Sequence, residues 1–206
     1  MKYNPDIHHR RSIRLKGYDY SRNGAYFITI CTQNRVCLFG GIEQGEMILN
    51  DAGKMVHNIW DEIPAYYEGI EIDAFQIMPN HIHGIIVIVG AGPCACPDTN
   101  ANIHKNYGTG QPRGVAPTGN DIFQTKLSLP DIVHRFKTLT TKKYIDGVKQ
   151  HNWQPFDKKL WQRNYYEHII RDEESSHKIQ EYIMNNPREW ERDELFIPRD
   201  TRSNPN

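Results

Sequence analysis

The sequence predicts an α+β fold of the ferredoxin-like type, an antiparallel sheet with helices on one face plus a C-terminal helix. Four stretches rich in aromatic and β-branched residues are typical of strands, and two amphipathic stretches between them are typical of helices. Their order is β-α-β-β-α-β, and a last helical stretch ends before Pro187. Because 206 residues is a usual size for one domain, we expect residues 1–206 to form a single domain.

The first strand and the first helix are predicted from breaker-free and periodic stretches. Residues 25–33, AYFITICTQ, are aromatic and β-branched without a glycine or proline, which indicates a central strand. Apolar residues then recur at helical spacing between Val56 and Ile63. We therefore expect an amphipathic helix that begins after Asn50 or Asp51.

Two further strands are predicted close together in the middle of the chain. Residues 70–78 and 81–89 are both strongly apolar, and the second stretch is apolar on both faces after its first residues. Only Pro79 and Asn80 separate them. The short, turn-favouring connection predicts a tight antiparallel hairpin.

The second half of the chain begins with a change in composition. Residues 91–122 are rich in glycine, proline, asparagine and threonine, and we interpret them as a long flexible insertion. Ser128 and Asp131 then resemble a capping box at the start of a helix. Residues 160–170 predict the fourth strand, and residues 172–186, with an acidic first turn, predict the last helix.

Charge and hydropathy exclude several classes of protein. The 25 basic and 25 acidic residues balance, which argues against a strongly basic nucleic-acid binder, although local basic segments leave room for a polyanion site. The sequence contains no run of eighteen apolar residues, so it predicts no membrane-spanning helix. The first residues also lack the apolar stretch of a signal peptide. The four cysteines form no spread-out disulfide framework. We therefore expect a cytoplasmic location.

Two histidines stand at the start of the third predicted strand, in the stretch QIMPNHIHGIIVIV. His81 and His83 share one face of the strand with Ile85, because alternate residues point the same way. Two imidazole nitrogens side by side supply half of a divalent metal site. Two half-exposed histidines beside a turn would show the same spacing, and the pattern alone favours that interpretation over a metal site.

Tyr182 and Asn186 lie four residues apart in the last predicted helix and therefore on one stripe of its surface. A phenol is a potential nucleophile, and an amide oxygen is an acceptable ligand for Mg²⁺ or Mn²⁺. The spacing alone nevertheless favours a packing role for Tyr182 and a capping role for Asn186 before Pro187.

Three motifs in a fixed order resemble those of a known family. PNHIHGI, WQRNYYEHIIRD and EYIMNNP together resemble the HUH single-tyrosine transposases, most closely the REP-associated tyrosine transposase (RAYT) branch. The resemblance spans about residues 24–190 apart from the predicted insertion, and it includes YFITICTQNR and IVHRFKTLTTKKY.

The resemblance implies a mechanism and assigns residues to it. Members of this family cleave and rejoin single-stranded DNA, often at a hairpin, through a 5′-phosphotyrosine intermediate. The resemblance implies that His81, His83 and Asn186 bind a divalent metal, Mg²⁺ or Mn²⁺, and that Tyr182 is the nucleophile. The expected partner is single-stranded or hairpin DNA. Because some relatives complete each site with a helix from a partner subunit, both a monomer and a homodimer stay open.

Basic side chains in two segments are candidates for contacts with DNA phosphates, although solvated side chains would give the same pattern. These candidates are Arg10, Arg11, Arg14, Arg135, Lys137, Lys142 and Lys143.

Other readings compete with strand transfer. A ferredoxin-like sheet that binds single-stranded DNA or RNA without chemistry is the first alternative. A structural zinc site built from Cys94, Cys96 and histidines such as His104 is the second.

Three residues near the family motifs have further candidate roles. Tyr144 is the second candidate nucleophile, but Val148 replaces the amide one turn later. Glu167 and His168 are candidates for supporting contacts around the metal.

Overall fold

The computed structural model describes Leu15 and residues 17–89 and 127–198. The predicted insertion at 91–122 lies outside the described residues. So do the zinc-site candidates Cys94, Cys96 and His104 and the DNA-contact candidates Arg10, Arg11 and Arg14.

The described chain forms six strands and four α-helices. The strands are β1 (Gly24–Cys31), β2 (Gly40–Glu43), β3 (Glu46–Leu49), β4 (Ile70–Ile77), β5 (His81–Ile88) and β6 (Tyr166–Ile170). The helices are α1 (Asp51–Asp61), α2 (Ile63–Tyr66), α3 (Leu129–His151) and α4 (Glu173–Asn185).

Four of the strands form one antiparallel sheet in the order β4-β5-β1-β6. The predicted central strand β1 and the strand β5 are the two inner strands, and β4 and β5 form the predicted hairpin. This order is that of two interleaved β-α-β units, so the predicted α+β, ferredoxin-like fold is confirmed. No helix in the described part of the chain is long and apolar enough to cross a membrane.

Side-chain caps begin the helices where the sequence predicts them. The Asn50 side chain accepts a hydrogen bond from the Gly53 amide at 2.9 Å and caps α1. Ser128 and Asp131 form the predicted capping box of α3. The Asp172 carboxylate accepts from the Ser175 amide at 2.7 Å and caps α4.

The two faces of the sheet are covered by different helices. Even-numbered residues of β1 and β5, such as Ile28 and Ile86, pack with α1 and α3 in the larger core. On the opposite face Phe27, Ile85 and Ile170 pack against Ile183 of α4. The histidine pair shares this second face, because Thr29 pairs with His83 and Cys31 with His81 across the two central strands.

Two local features differ from the sequence-based expectations. The fourth strand begins at Tyr166 rather than residue 160, and Trp161 makes only an isolated bridge with Thr32. The small hairpin of β2 and β3 is an addition. Its turn places Gln44 at φ 51° and Gly45 at φ 80°, the pair of left-handed conformations that a type I′ turn requires.

Candidate active site

The histidine pair is buried at the start of β5. His81 is 0% and His83 is 2% exposed, and their Nε2 atoms are 2.9 Å apart. Polar groups with so little exposure need partners inside the protein. Each Nδ1 atom has a hydrogen-bond partner, Asn80 for His81 and Thr29 for His83. The two Nε2 atoms face each other, so both can contact one shared point.

Asn80 fixes the tautomer of His81. The Asn80 amide nitrogen donates to the carbonyl oxygens of Arg35, at 3.1 Å, and Leu195, at 2.9 Å. The other amide atom is therefore the oxygen, and it lies 2.8 Å from His81 Nδ1. Since this oxygen accepts only, His81 Nδ1 carries the proton and the lone pair is on Nε2.

Thr29 allows His83 to take either tautomer. The Thr29 hydroxyl is 2.8 Å from His83 Nδ1. Without a cation, His83 Nε2–H donates to the lone pair on His81 Nε2, and the hydroxyl donates to His83 Nδ1. Because a hydroxyl both donates and accepts, it serves equally when His83 Nδ1–H is the donor. In that second tautomer both Nε2 atoms present lone pairs to the same point.

Both imidazoles are neutral near pH 7. Burial lowers the pKa of His81 well below 6.5, and the neighbouring His83 and Arg35 lower it further. Burial lowers the pKa of His83 to about 4, although the Asp193 carboxylate acts in the opposite direction. The neutral imidazole is the form that binds a metal.

Tyr182 meets the histidine pair from helix α4. Its hydroxyl oxygen lies 3.4 Å from His83 Nε2, and the two ring centres are 5.2 Å apart. The side chain is 48% exposed, so the hydroxyl is reachable from outside. Burial of the ring's inner part raises the pKa of Tyr182 to about 12, with further contributions from the carboxylates of Asp193 and Glu194. Near pH 7 the side chain is a neutral phenol.

Asn186 follows the last residue of α4 and turns its amide toward the same place. The residue is 3% exposed, and its amide nitrogen donates to Asp193 Oδ2 at 2.9 Å. Its amide oxygen is buried without a hydrogen-bond partner among the described residues. An orphaned buried acceptor is costly, and binding a cation would satisfy it.

Asp193 is a candidate metal ligand that the sequence analysis did not identify. With His81 and His83 it forms a group whose ligand atoms lie within 4.8 Å of one another, and its Oδ2 is 4.0 Å from His81 Nε2. Its side chain is only 5% exposed. In the sequence it stands beyond Pro187 among other acidic residues, so no periodic or spacing signal marks it.

The segment after α4 is fastened over the histidines. Asn80 holds the carbonyl of Leu195, and the Arg35 guanidinium donates to the carbonyl of Glu194 at 3.0 Å. The Trp190 ring lies 5.9 Å from the His81 ring, centre to centre. These contacts bring Asp193 back to the sheet and explain why a residue eight positions past the last residue of α4 reaches the site.

A cavity of about 750 Å³ opens in front of these side chains. Its walls come from the sheet, from the loop before β6, from α4 and from the segment that follows α4. The lining includes Thr29, His83, Tyr182, Asn186 and Asp193. The four sequence-predicted site residues therefore converge, and their catalytic and ligand roles stay predictions.

The predicted DNA-contact residues of α3 lie elsewhere. Arg135, Lys142 and Lys143 are exposed on a helix that covers the opposite face of the sheet, and none of them lines the cavity. Lys137 is closer, because its ammonium group donates to the carbonyl of Gln162, a cavity residue, at 2.9 Å.

The other residues weighed from the sequence are not in the cavity. Tyr144 is 1% exposed in the core of the opposite face and donates to the carbonyl of Gln154 at 2.9 Å. Glu167 and His168 lie on β6 beside a separate cavity.

A family model and one close relative match the sequence. The model described as "Transposase IS200 like" matches residues 122–186, the part that contains α3, β6 and α4. An uncharacterised protein from Haemophilus influenzae is 46% identical over 199 residues, which cover 95% of this chain and 98% of that protein.

Two solved structures are similar to parts of this fold. One is a REP-associated tyrosine transposase bound to a REP hairpin, with 17% identity and a TM-score of 0.43 over 86% of this chain and 73% of that one. The other is a Deinococcus radiodurans protein described as a transposase, with 18% identity and a TM-score of 0.40 over 84% and 97% of the two chains.

Proposed function

The chain belongs to the HUH single-tyrosine transposases, the family that includes IS200-like and REP-associated enzymes, and we propose that it cleaves and rejoins single-stranded DNA through Tyr182. The observation that carries this proposal is the 3.4 Å distance between the Tyr182 hydroxyl and His83 Nε2 within one chain. A buried imidazole pair and a reachable phenol at that distance provide a cation site and a nucleophile side by side.

The proposed chemistry is a transesterification. The Tyr182 oxygen attacks the scissile phosphorus, the bond from phosphorus to the 3′-oxygen breaks, and a 5′-phosphotyrosine and a free 3′-hydroxyl result. The phenol loses one proton and the leaving oxygen gains one, so no water is consumed and the step is reversible. Because the pKa of Tyr182 is about 12, the phenol must lose its proton as it attacks.

The residues present fit a divalent cation. The Nε2 atoms of His81 and His83 converge, the Asn186 amide oxygen lacks a hydrogen bond in the described chain, and the Asp193 carboxylate is adjacent. A bound Mg²⁺ or Mn²⁺ would act as a Lewis acid on a phosphate oxygen. Mixed nitrogen and oxygen donors suit Mn²⁺ better than Mg²⁺, which prefers oxygen alone.

The substrate that suits this arrangement is unpaired DNA. Tyr182 is on a helix packed against the sheet, and its hydroxyl faces a cavity rather than an exposed convex surface. A single strand bends into such a cavity, whereas a duplex backbone is held on a stiff rod. We therefore propose single-stranded DNA, or the unpaired part of a hairpin, as the partner.

A covalent adduct tests the proposal. The chain is incubated with single-stranded oligonucleotides and Mn²⁺, and the products are separated in SDS. We expect an SDS-resistant protein–DNA adduct with the unmodified chain and none with Tyr182→Phe. Tyr166→Phe, which changes another cavity tyrosine, is the matched control and should still form the adduct.

The same experiment distinguishes strand transfer from the alternative function, a module that binds single strands without cleaving them. A protein that only binds single strands would show a shifted band under native conditions and no adduct in SDS. An adduct that persists in Tyr182→Phe would overturn the assignment of the nucleophile.

A further inference from the structure

A row of side chains crosses the sheet at the level of His83. The register of β1 pairs Thr29 with His83 on one side and with Tyr166 on the other. Directly paired residues of an antiparallel sheet point to the same face. Neighbouring strands are about 4.8 Å apart, so Tyr166 starts about 10 Å from His83 on the face that carries Tyr182.

Tyr166 presents an aromatic ring to the cavity. It is 53% exposed, although the neighbouring Phe27 is buried at 7%. The rings of Tyr166 and Tyr182 each stand edge-on to Phe27, with centres 6.1 Å away. Phe27 therefore lies between the two tyrosine rings, and more than half of Tyr166 stays accessible to another flat group. An exposed aromatic face is the usual platform on which proteins stack unpaired bases.

Two amide side chains line the same cavity. Gln162 and Asn164 belong to the loop before β6, and among the described residues neither side-chain amide has a hydrogen-bond partner. The Lys137 ammonium group holds this loop through the carbonyls of Gln162, at 2.9 Å, and Asn164, at 3.3 Å. An amide offers a donor and an acceptor together, which is the pattern needed to read the edge of a base.

We propose that Tyr166, Gln162 and Asn164 form a subsite for the nucleobase that flanks the scissile phosphate. The base stacks on Tyr166, and the two amides bond to its edge. The inference rests on the proposed function, because that function places the phosphate at Tyr182. Two strand spacings put the Tyr166 backbone about 10 Å from that of His83, so Tyr166 lies beside the place proposed for the phosphate.

The proposed stacking of a base on Tyr166 is tested by measuring DNA affinity in chains that lack the Tyr182 hydroxyl and therefore cannot form the adduct. Tyr166→Leu, Tyr166→Trp and the control Tyr66→Leu are made in the Tyr182→Phe chain, and affinity for a random-sequence single-stranded oligonucleotide pool is measured by fluorescence anisotropy. Tyr66 is a matched control because it is 67% exposed on α2, away from the cavity. We expect Tyr166→Leu to weaken binding about tenfold, within the range of base–aromatic stacking, and the other two variants to bind as the parent does.

Two results would overturn the stacking platform. One is Tyr166→Leu binding within about twofold of the parent. The other is a parent chain with no affinity for single strands. Thermal melting of each variant checks that the exposed substitutions leave the fold intact.

The edge-reading part is tested by sequencing the bound pool. The parent should enrich particular bases at one position, and Gln162→Ala combined with Asn164→Ala should flatten that enrichment while Tyr166 still supports binding. Unchanged enrichment in the double variant, or none in the parent, would remove the amides from the proposal.

The readouts separate this inference from strand transfer. Normal Tyr166-dependent binding without any adduct would remove the proposed chemistry and keep the base subsite. An adduct with binding that does not depend on Tyr166 would keep the chemistry and remove the subsite.

Discussion

Asn80 joins three parts of the candidate site at the scale of single residues. Its oxygen sets the tautomer of His81, and its nitrogen ties the carbonyls of Arg35 and Leu195 together. The residue is 0% exposed, so losing these bonds would leave buried polar groups without partners. Its contribution is to present the His81 lone pair to the point where Asp193 also arrives.

We expect Asn80→Ala to weaken Mn²⁺ binding by about ten- to a hundredfold, the usual cost of losing a partner that orients a metal-ligating histidine. Isothermal titration calorimetry measures the effect. Asn58→Ala, on the exposed side of α1, is the control and should bind as the unmodified chain does. Equal affinity in both variants would show that Asn80 does not orient the ligand.

Asp193 gives a second prediction at this scale. Replacing it with asparagine keeps the shape but removes the charge beside His81, so Asp193→Asn should weaken Mn²⁺ binding about tenfold or more. The neighbouring Glu194→Gln removes the same charge one position away and should change the affinity less than about twofold. Similar affinities for the two variants would exclude Asp193 as a ligand.

At the scale of elements, strand β5 combines the histidines with a glycine that the core requires. A Cβ atom built on Gly84 would lie 2.5 Å from the Trp60 ring and 3.1 Å from Phe75. Trp60 and Phe75 are themselves stacked, with centres 4.3 Å apart, and Trp60 is only 1% exposed, so an added methyl group would enter a filled part of the core. Gly84 thus lets α1 approach the strand that carries the metal-site candidates.

We predict that Gly84→Ala lowers the free energy of unfolding by about 1–3 kcal/mol, because the added methyl group overpacks the core. Urea denaturation followed by circular dichroism measures it. Val89→Ala is the control, since Val89 is 41% exposed just beyond β5, and should cost less than about 0.5 kcal/mol. An undiminished stability in Gly84→Ala would mean that Trp60 repacks freely.

The sequence predicts these elements well where side chains reveal the local structure. The alternation in β5 places His81 and His83 on one face, and the spacing in α4 places Tyr182 and Asn186 on one stripe. Both patterns are properties of a regular backbone and need no tertiary information.

The sequence does not predict features that depend on how the irregular segment after α4 folds back onto the sheet. Asp193 reaches the site because Asn80 and Arg35 hold the carbonyls beside it, and such backbone contacts leave no periodic pattern. The exposure of Tyr166 likewise follows from sheet order, which places its strand at an edge.

At the scale of the whole molecule, the larger hydrophobic core and the candidate active site lie on opposite faces of the sheet. Helices α1 and α3 bury the larger core on one face, while α4 and the cavity occupy the other. Tyr182 and His83 meet within one chain, so we predict that a single chain forms a whole site.

Mixing two inactive variants tests this prediction. A Tyr182→Phe chain and a His81→Ala, His83→Ala chain are incubated together with oligonucleotides and Mn²⁺. We expect no SDS-resistant adduct, because neither chain has both halves of the site. Restored adduct formation would show that a helix from a partner subunit completes the site.

The most direct test of the central claim is to identify the residue that carries the DNA. The adduct of the unmodified chain is digested with trypsin and nuclease, and the modified peptide is sequenced by mass spectrometry. The account predicts a nucleotide joined through its 5′-phosphate to Tyr182. A nucleotide on Tyr144, on Tyr166 or on any other residue would contradict it.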